Sequence, residues 1–377
     1  MVLEDICEFI VDCPHSTAPD ESVGYPLIRT PNVGRGRLIL EGVHRVSKET
    51  YDKRNARAVP QIDDIIFARE APAGNAALIR EGQEVCLGQR TVLIRPDKNK
   101  VCPEFLVYYI LAPKQQYELL GTANGATVAH VNLPIIRKMP VNLPDIYVQK
   151  KIARYIAKYD DLIENNQKQI KLLEEAAQRL YKEWFVDLRF LGHEECKIVD
   201  GVPEGWGKSC LGDFAPFKRG KTITKAQVKS GSVPVVAGGL EPAYFHNESN
   251  TTAPVITVSG SGANAGFARL YNVDVFASDC SFIDSKASPY IYFIYCYIKE
   301  NKATLDSLQK GAAQPHVYAK DINALRIIVP NADILKRFCL SVSLYFKTIK
   351  ALQEQNEILS EARNRLLPKL MNGEIEV

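Results

Sequence analysis

Two triplets, Gly207-Lys208-Ser209 and Gly220-Lys221-Thr222, carry the ending of a phosphate-binding loop, in which backbone amides and a lysine cradle a nucleotide. The glycine such a loop needs five positions before the second one is Val202 in one case and Ala215 in the other, so ATP binding is rejected. Ser259 to Gly266 is glycine-rich, but its GxGxxxG spacing is not the dinucleotide fingerprint; it is either a loop that lets backbone approach a partner or a plain turn. Asp284-Ser285-Lys286 has the spacing of a nuclease carboxylate–lysine pair without the upstream Pro-Asp, and Ser288-Pro289-Tyr290 has one proline where an amino-methyltransferase motif has two. Nine cysteines are scattered without a CxxC pair, which argues against both a zinc site and a disulfide framework. His130 and His316 each stand five residues after a glycine, and as a matched pair they read as turn-fixing residues before bases or ligands. No autonomous catalysis is expected.

The remaining candidates are basic. Arg29, Arg35, Arg37, Arg45, Lys48, Lys53, Arg54 and Arg57 face only Glu41, Glu49 and Asp52, a local excess of five positive charges in a loop-rich stretch. Such an excess suits phosphate neutralisation, and arginine can also read guanine edges with its bidentate fork; the alternative is a solvated surface strip. The residues expected to meet DNA are Arg29, Arg35, Arg37, Arg45, Lys48, Arg69 and Arg90 in the first half, and Lys218, Arg219, Lys221, Lys225 and Asn264 in the second.

What positions them is a duplicated frame. Ile152, Ile156, Tyr159, Ile163, Asn166, Ile170, Leu173, Ala177, Leu180 and Trp184 alternate at spacings of four and three, a coiled-coil seam on a helix over Asp145 to Asp187 that would reach about 60 Å. A second seam, Phe338, Val342, Tyr345, Ile349, Leu352, Asn356, Leu359, Arg363, Leu366 and Leu370, repeats the first at a constant offset (338 − 152 = 186), and His130-Val131 and Gly125 return at the same offset as His316-Val317 and Gly311. An offset that long marks duplicated domain-plus-helix units. Run antiparallel, the seams place Ile163 on Leu359, Asn166 on Asn356, Ile170 on Leu352, Leu173 on Ile349 and Trp184 on Phe338; the matched asparagines would fix register. The alternative is that each stripe packs on its own domain. Pro368 is expected to end the second helix before Leu370.

Each half reads as mixed α/β, of the α+β kind: short apolar runs such as Tyr25 to Ile28, Asp64 to Phe67, Thr91 to Ile94 and Val233 to Val236 are strands bounded by turn residues, and Glu104 to Leu111 is a buried helix. The expected division is a first domain over 1–143, a central helix over 144–190, a second domain over 191–330 and a terminal helix over 331–377. With 46% hydrophobic and 24% charged residues, a net charge of +3 and no apolar run near 18 residues, the chain reads as a cytoplasmic protein with no membrane partner.

Leu180-Tyr181-Lys182-Glu183-Trp184-Phe185-Val186-Asp187 followed by Val202-Pro203-Glu204-Gly205-Trp206, the ending Arg365 to Ile375, and Asp12-Cys13-Pro14-His15-Ser16-Thr17 together resemble the DNA-specificity subunits of type I restriction–modification systems. That resemblance covers nearly the whole chain. It implies two target-recognition domains separated by two antiparallel helices, a non-catalytic chain reading an asymmetric bipartite site on double-stranded DNA, and a duplex distorted enough to release the target base. It also implies partners: two modification subunits that methylate adenine with S-adenosylmethionine, and restriction subunits that use ATP and Mg. No cofactor is expected on this chain itself.

Overall fold

The computed structural model describes residues 1–121, 130–309 and 315–376; Gly125 and Gly311 lie outside them. The chain forms two compact units, Met1–Asn165 with Gln355–Val377, and Asn166–Glu354, so each unit takes part of both long helices.

The first unit is built on a five-stranded sheet in the order Cys7–Asp12, Thr91–Pro96, Ile65–Ala68, Ala76–Leu78, Gly36–Arg37, antiparallel except for the last pair. A smaller sheet sets Tyr25–Ile28 between Arg45–Val46 and a parallel Cys86–Leu87. The four residues of Ile65–Ala68 are all buried, as befits a central strand covered on both faces. On one face lies the helix Pro103–Leu111, whose Phe105, Leu106 and Ile110 are at most 1% exposed. The second unit repeats the plan. Its main sheet runs Lys218–Arg219, Cys280–Asp284, Val255–Ser259, Ala268–Tyr271, all antiparallel, and Val233–Val236 sits between Tyr244–His246 and a parallel Phe276–Ala277. The helix Ile291–Glu300 covers it. Antiparallel sheets with segregated helices make each unit α+β.

The first long helix spans Ile146–Tyr181 and opens where the Asp145 carboxylate accepts the Tyr147 amide at 2.7 Å, a cap for an otherwise unpaired donor. A π-helical turn, Lys182–Val186, closes it; this wider turn lets the consecutive Trp184 and Phe185 both turn inward. The second long helix spans Ala332–Met371 and contains Pro368. The expectation that Pro368 ends it is therefore corrected: burial of Leu367 and Leu370 in the first unit's core holds the last turn against the hydrogen bond that proline removes.

Within each unit the two helices lie antiparallel. In the first, Ile152 and Ile156 share a core with Leu367 and Leu370, and Asp160 receives the Arg363 guanidinium. In the second, the Trp184 and Phe338 rings are 5.9 Å apart, and Ala177, Leu173 and Ile349 belong to the same cluster. The same side chains also pack on their own domain; Phe346, outside the expected seam, is buried under Tyr292 and Tyr295. Ile163, Leu359, Ile170 and Leu352 are half-buried. Asn166 falls in the second unit and Asn356 in the first, and their pairing stays an expectation.

Candidate nucleic-acid interface

One slot recurs in both units, at the end of the main sheet where the edge strands Cys7–Asp12 and Lys218–Arg219 and the central strands Ile65–Ala68 and Val255–Ser259 end, and where Thr91–Pro96 and Cys280–Asp284 begin. Backbone hydrogen bonds define the correspondence. Val131 N–H donates to the Arg69 carbonyl at 3.0 Å and Val317 N–H to the Gly260 carbonyl at 3.1 Å; Arg69 N–H donates to Arg90 at 2.9 Å and Gly260 N–H to Asp279 at 3.3 Å; Cys13 N–H donates to Thr91 at 3.1 Å and Gly220 N–H to Cys280 at 2.8 Å. Asp12, Arg69, Glu70, Arg90 and His130 thus occupy the places of Arg219, Gly260, Ser261, Asp279 and His316.

In the first unit these side chains form a closed network. Arg69, 9% exposed, reaches Asp12 at 2.7 Å, the Val131 carbonyl at 2.9 Å and His130 at 2.9 Å. His130 in turn meets Glu70, which pairs with Arg90 at 2.9 Å. In the second unit the slot is a cleft of about 370 Å³ lined by Arg219, Ser261, Asp279, Ser281, His316 and Tyr318. Ser261 hydrogen-bonds Asp279, and the His316 ring stacks on Tyr318, 5.9 Å away at 8°. The sign of the charge is inverted between the slots: acid becomes base at Asp12/Arg219, and base becomes acid at Arg90/Asp279. Sequence reasoning paired the two histidines through the repeat but missed Asp12, Glu70 and Asp279, because a search for phosphate-neutralising residues passes over carboxylates.

The other basic candidates divide. Arg37 pairs with Asp161 at 2.8 Å on the long helix of its own unit, and Lys48 with Asp52 at 2.8 Å. Arg35 donates to the Leu111 carbonyl at 3.0 Å, at a helix C-terminus where a cation is favoured, and Arg45 donates to Gly24 at 2.7 Å. A carbonyl bond orients a guanidinium without neutralising it, so Arg35 and Arg45 keep their fields. Arg29, half-buried, has its Nε without a partner. Lys218, Arg219, Lys221 and Lys225 are exposed, and none makes an ion pair among the described residues. The Asn264 amide donates to the Gly238 carbonyl at 3.4 Å, holding the glycine-rich loop as a turn.

The rejected motifs lie in ordinary structure. Gly207-Lys208-Ser209 is strand, paired with Arg326–Val329; Gly262–Asn264 is a single 3-10 turn between strands; and the Asp284 carboxylate accepts the Thr252 and Ala287 amides. Among the described residues no group of histidine, cysteine and carboxylate side chains could hold a metal ion, and no helix is long and apolar enough to cross a membrane.

The model of the type I restriction modification DNA specificity domain matches twice, over residues 1–175 and 203–360, which is most of the chain and one match for each slot. The chain belongs to this family. Members of this specificity family are non-catalytic DNA-recognition components. The chain is 27% identical over 365 residues to the type I restriction enzyme MjaIX specificity subunit of Methanocaldococcus jannaschii, covering 90% of this chain and 83% of that one. It is 23% identical over 400 residues to the HindI specificity subunit of Haemophilus influenzae, covering 83% and 86%. The crystal structure of the type I S subunit from M. genitalium shares the fold, with a TM-score of 0.55 at 17% identity over 98% of this chain and 95% of that one. The mixed α/β fold with its two matched domains and long helices is thus shared with a solved S subunit.

Proposed function

We propose that this specificity subunit reads an asymmetric bipartite site on double-stranded DNA, one half-site per unit, and directs adenine methylation by modification subunits and cleavage by restriction subunits. The observation that carries the asymmetry is the inverted slot. The units present the same backbone frame with opposite charges at two matched positions, Asp12/Arg219 and Arg90/Asp279, and DNA edges that suit one set of donors and acceptors do not suit the other. The exposed Lys218, Arg219, Lys221 and Lys225 supply phosphate contacts that fix register without reading sequence. The long helices set the separation of half-sites, which on one face of DNA recur at about 34 Å. S-adenosylmethionine, ATP and Mg belong to two modification subunits and to the restriction subunits; this chain holds none, and it acts where the genome is, in the cytoplasm.

Adenine methylation mapped by long-read sequencing of the native genome, with and without the chain, tests this. A bipartite motif with two different halves that disappears on deletion is expected. Identical halves would remove the asymmetry, and unchanged methylation would remove the role.

A further inference from the structure

The loop that follows the strand Cys7–Asp12 is held in an unusual way. Five consecutive backbone carbonyls each accept a hydrogen bond from a side chain. Arg57 Nη1 donates to Asp12 at 3.2 Å and to Cys13 at 3.5 Å; Arg54 donates through Nη2 to Pro14 at 3.2 Å and through Nη1 to Ser16 at 2.9 Å; Gln89 Nε2 donates to His15 at 3.2 Å. Arg54 is 5% exposed, and its Nε is spent on the Leu87 carbonyl, so its planar fork is locked from behind by the small sheet. Burial pulls its pKa down, from so high a starting point that it stays a cation.

Cys13 on this clamped stretch is buried, but from His15 onward the side chains turn out. His15 is 71% exposed along its side chain, and Ser16 and Thr17 are exposed beside it. Asp12, itself held by Arg69, lies 3.4 Å from His15 Nε2 and ties the imidazole to the slot described above. The exposed residues of this loop, His15, Ser16 and Thr17, include no lysine or arginine, so the loop is poorly equipped to neutralise phosphate. What it displays is one imidazole and two hydroxyls, groups that both donate and accept, and one methyl, which is the chemistry of base edges. The clamp supplies rigidity, since a loop already fixed in its bound shape loses little freedom on docking.

We infer that His15, Ser16 and Thr17, held by the carbonyl clamp of Arg54, Arg57 and Gln89, form a base-reading element that sets part of one half-site. Arg54 is a positioning residue: it touches no DNA and acts through the loop. The inference rests on the proposed reading of DNA by the first unit.

The test uses the full chain in its native methylating complex, with methylated adenines mapped after replacement by His15→Ala, Ser16→Ala or Arg54→Lys. In the His15 and Ser16 variants one or two base positions of a single half-site relax by about 10-fold or more in preference, with the other half-site unchanged. Arg54→Lys keeps the charge but loses the fork; it relaxes the same positions while fully matched sites stay methylated, which a merely structural role would not produce. An unaltered motif in both surface variants overturns the inference, as does a uniform fall in methylation across all sites, the mark of a phosphate contact. If deleting the chain leaves methylation intact, the DNA-reading role itself fails, and that outcome is distinct from the other two.

Discussion

Where the long helices meet inside each unit, the duplicated chain uses two different solutions. In the first unit the junction is ionic: Asp160, 4% exposed, takes the Arg363 guanidinium on one oxygen and the Tyr108 hydroxyl on the other at 2.6 Å. The positions one repeat away are Phe346 and Ala177, and there the junction is apolar. Phe346 stacks on Tyr292 at 4.4 Å and 6° and meets Tyr295 at 5.9 Å, while Tyr181, Trp184, Phe185 and Phe293 surround Phe338 at ring distances between 4.9 and 6.2 Å. The same backbone frame therefore tolerates either a buried ion pair or an aromatic cluster. The two differ in what they demand: the ion pair tolerates no loss of a partner, whereas the cluster responds to a loss of volume.

That difference is open to direct attack. Arg363→Met leaves Asp160 charged and buried without its cation, and should cost about 3–5 kcal/mol. Importing the other solution by adding Asp160→Phe should recover much of it, since replacing a buried pair by apolar groups is often close to neutral. Phe338→Ala in the second unit should cost about 3–5 kcal/mol by opening a cavity among four other rings. Chemical denaturation gives the magnitudes, and hydrogen exchange shows which unit loosens. If Asp160→Phe with Arg363→Met were worse than Arg363→Met alone, the two junctions would not be interchangeable.

The tyrosines give a smaller contrast. Tyr108→Phe removes a hydrogen bond to a charged carboxylate and should cost about 1.5–3 kcal/mol, whereas Tyr292→Phe keeps the ring stack and should change stability by less than about 0.5 kcal/mol. The pH dependence carries a sign. Burial, and then the Asp160 charge, raise the Tyr108 pKa above its ordinary value near 10, so the folded state holds the phenolic proton more tightly than the unfolded one. Its contribution is complete below the unfolded pKa of about 10 and is lost as pH rises above it. The stability gap between the native chain and Tyr108→Phe should accordingly narrow between about pH 10 and 11 in urea titrations.

Periodicity and turn residues made the long helices and the strands legible because both are local properties of the sequence, and the duplication was legible because its offset is constant along the chain. The ionic junction was half legible: Arg363 stood in the seam, but Asp160 stood one residue after Tyr159 and was passed over, since a carboxylate is expected outside a seam. Phe346 was missed for the related reason that it stands one residue after Tyr345 of the seam, where it packs on the rings of Tyr292 and Tyr295 in the covering helix of its own domain. The slots were least legible. Asp12, Arg69, Glu70, Arg90 and His130 are brought together only by strand order, and counting positive charges valued Arg37 like Lys221 when one has a carboxylate on it and the other does not.

That last distinction yields the smallest measurable effect and the sharpest test of the basic residues. In affinity measurements on DNA made across a range of salt, removing one phosphate-binding cation reduces the slope of log affinity against log salt by about 0.9. Lys221 is exposed and without an ion pair among the described residues, so Lys221→Gln should lower the slope by about that amount and weaken all DNA sequences alike. Arg37 already faces Asp161 at 2.8 Å, so a phosphate would have to displace that carboxylate, and Arg37→Gln should leave the slope unchanged. Equal slope changes in the two variants would mean that the Asp161 pair opens on DNA. Arg37 would then be a phosphate-binding cation held in reserve behind an ion pair, while Lys221 is displayed openly.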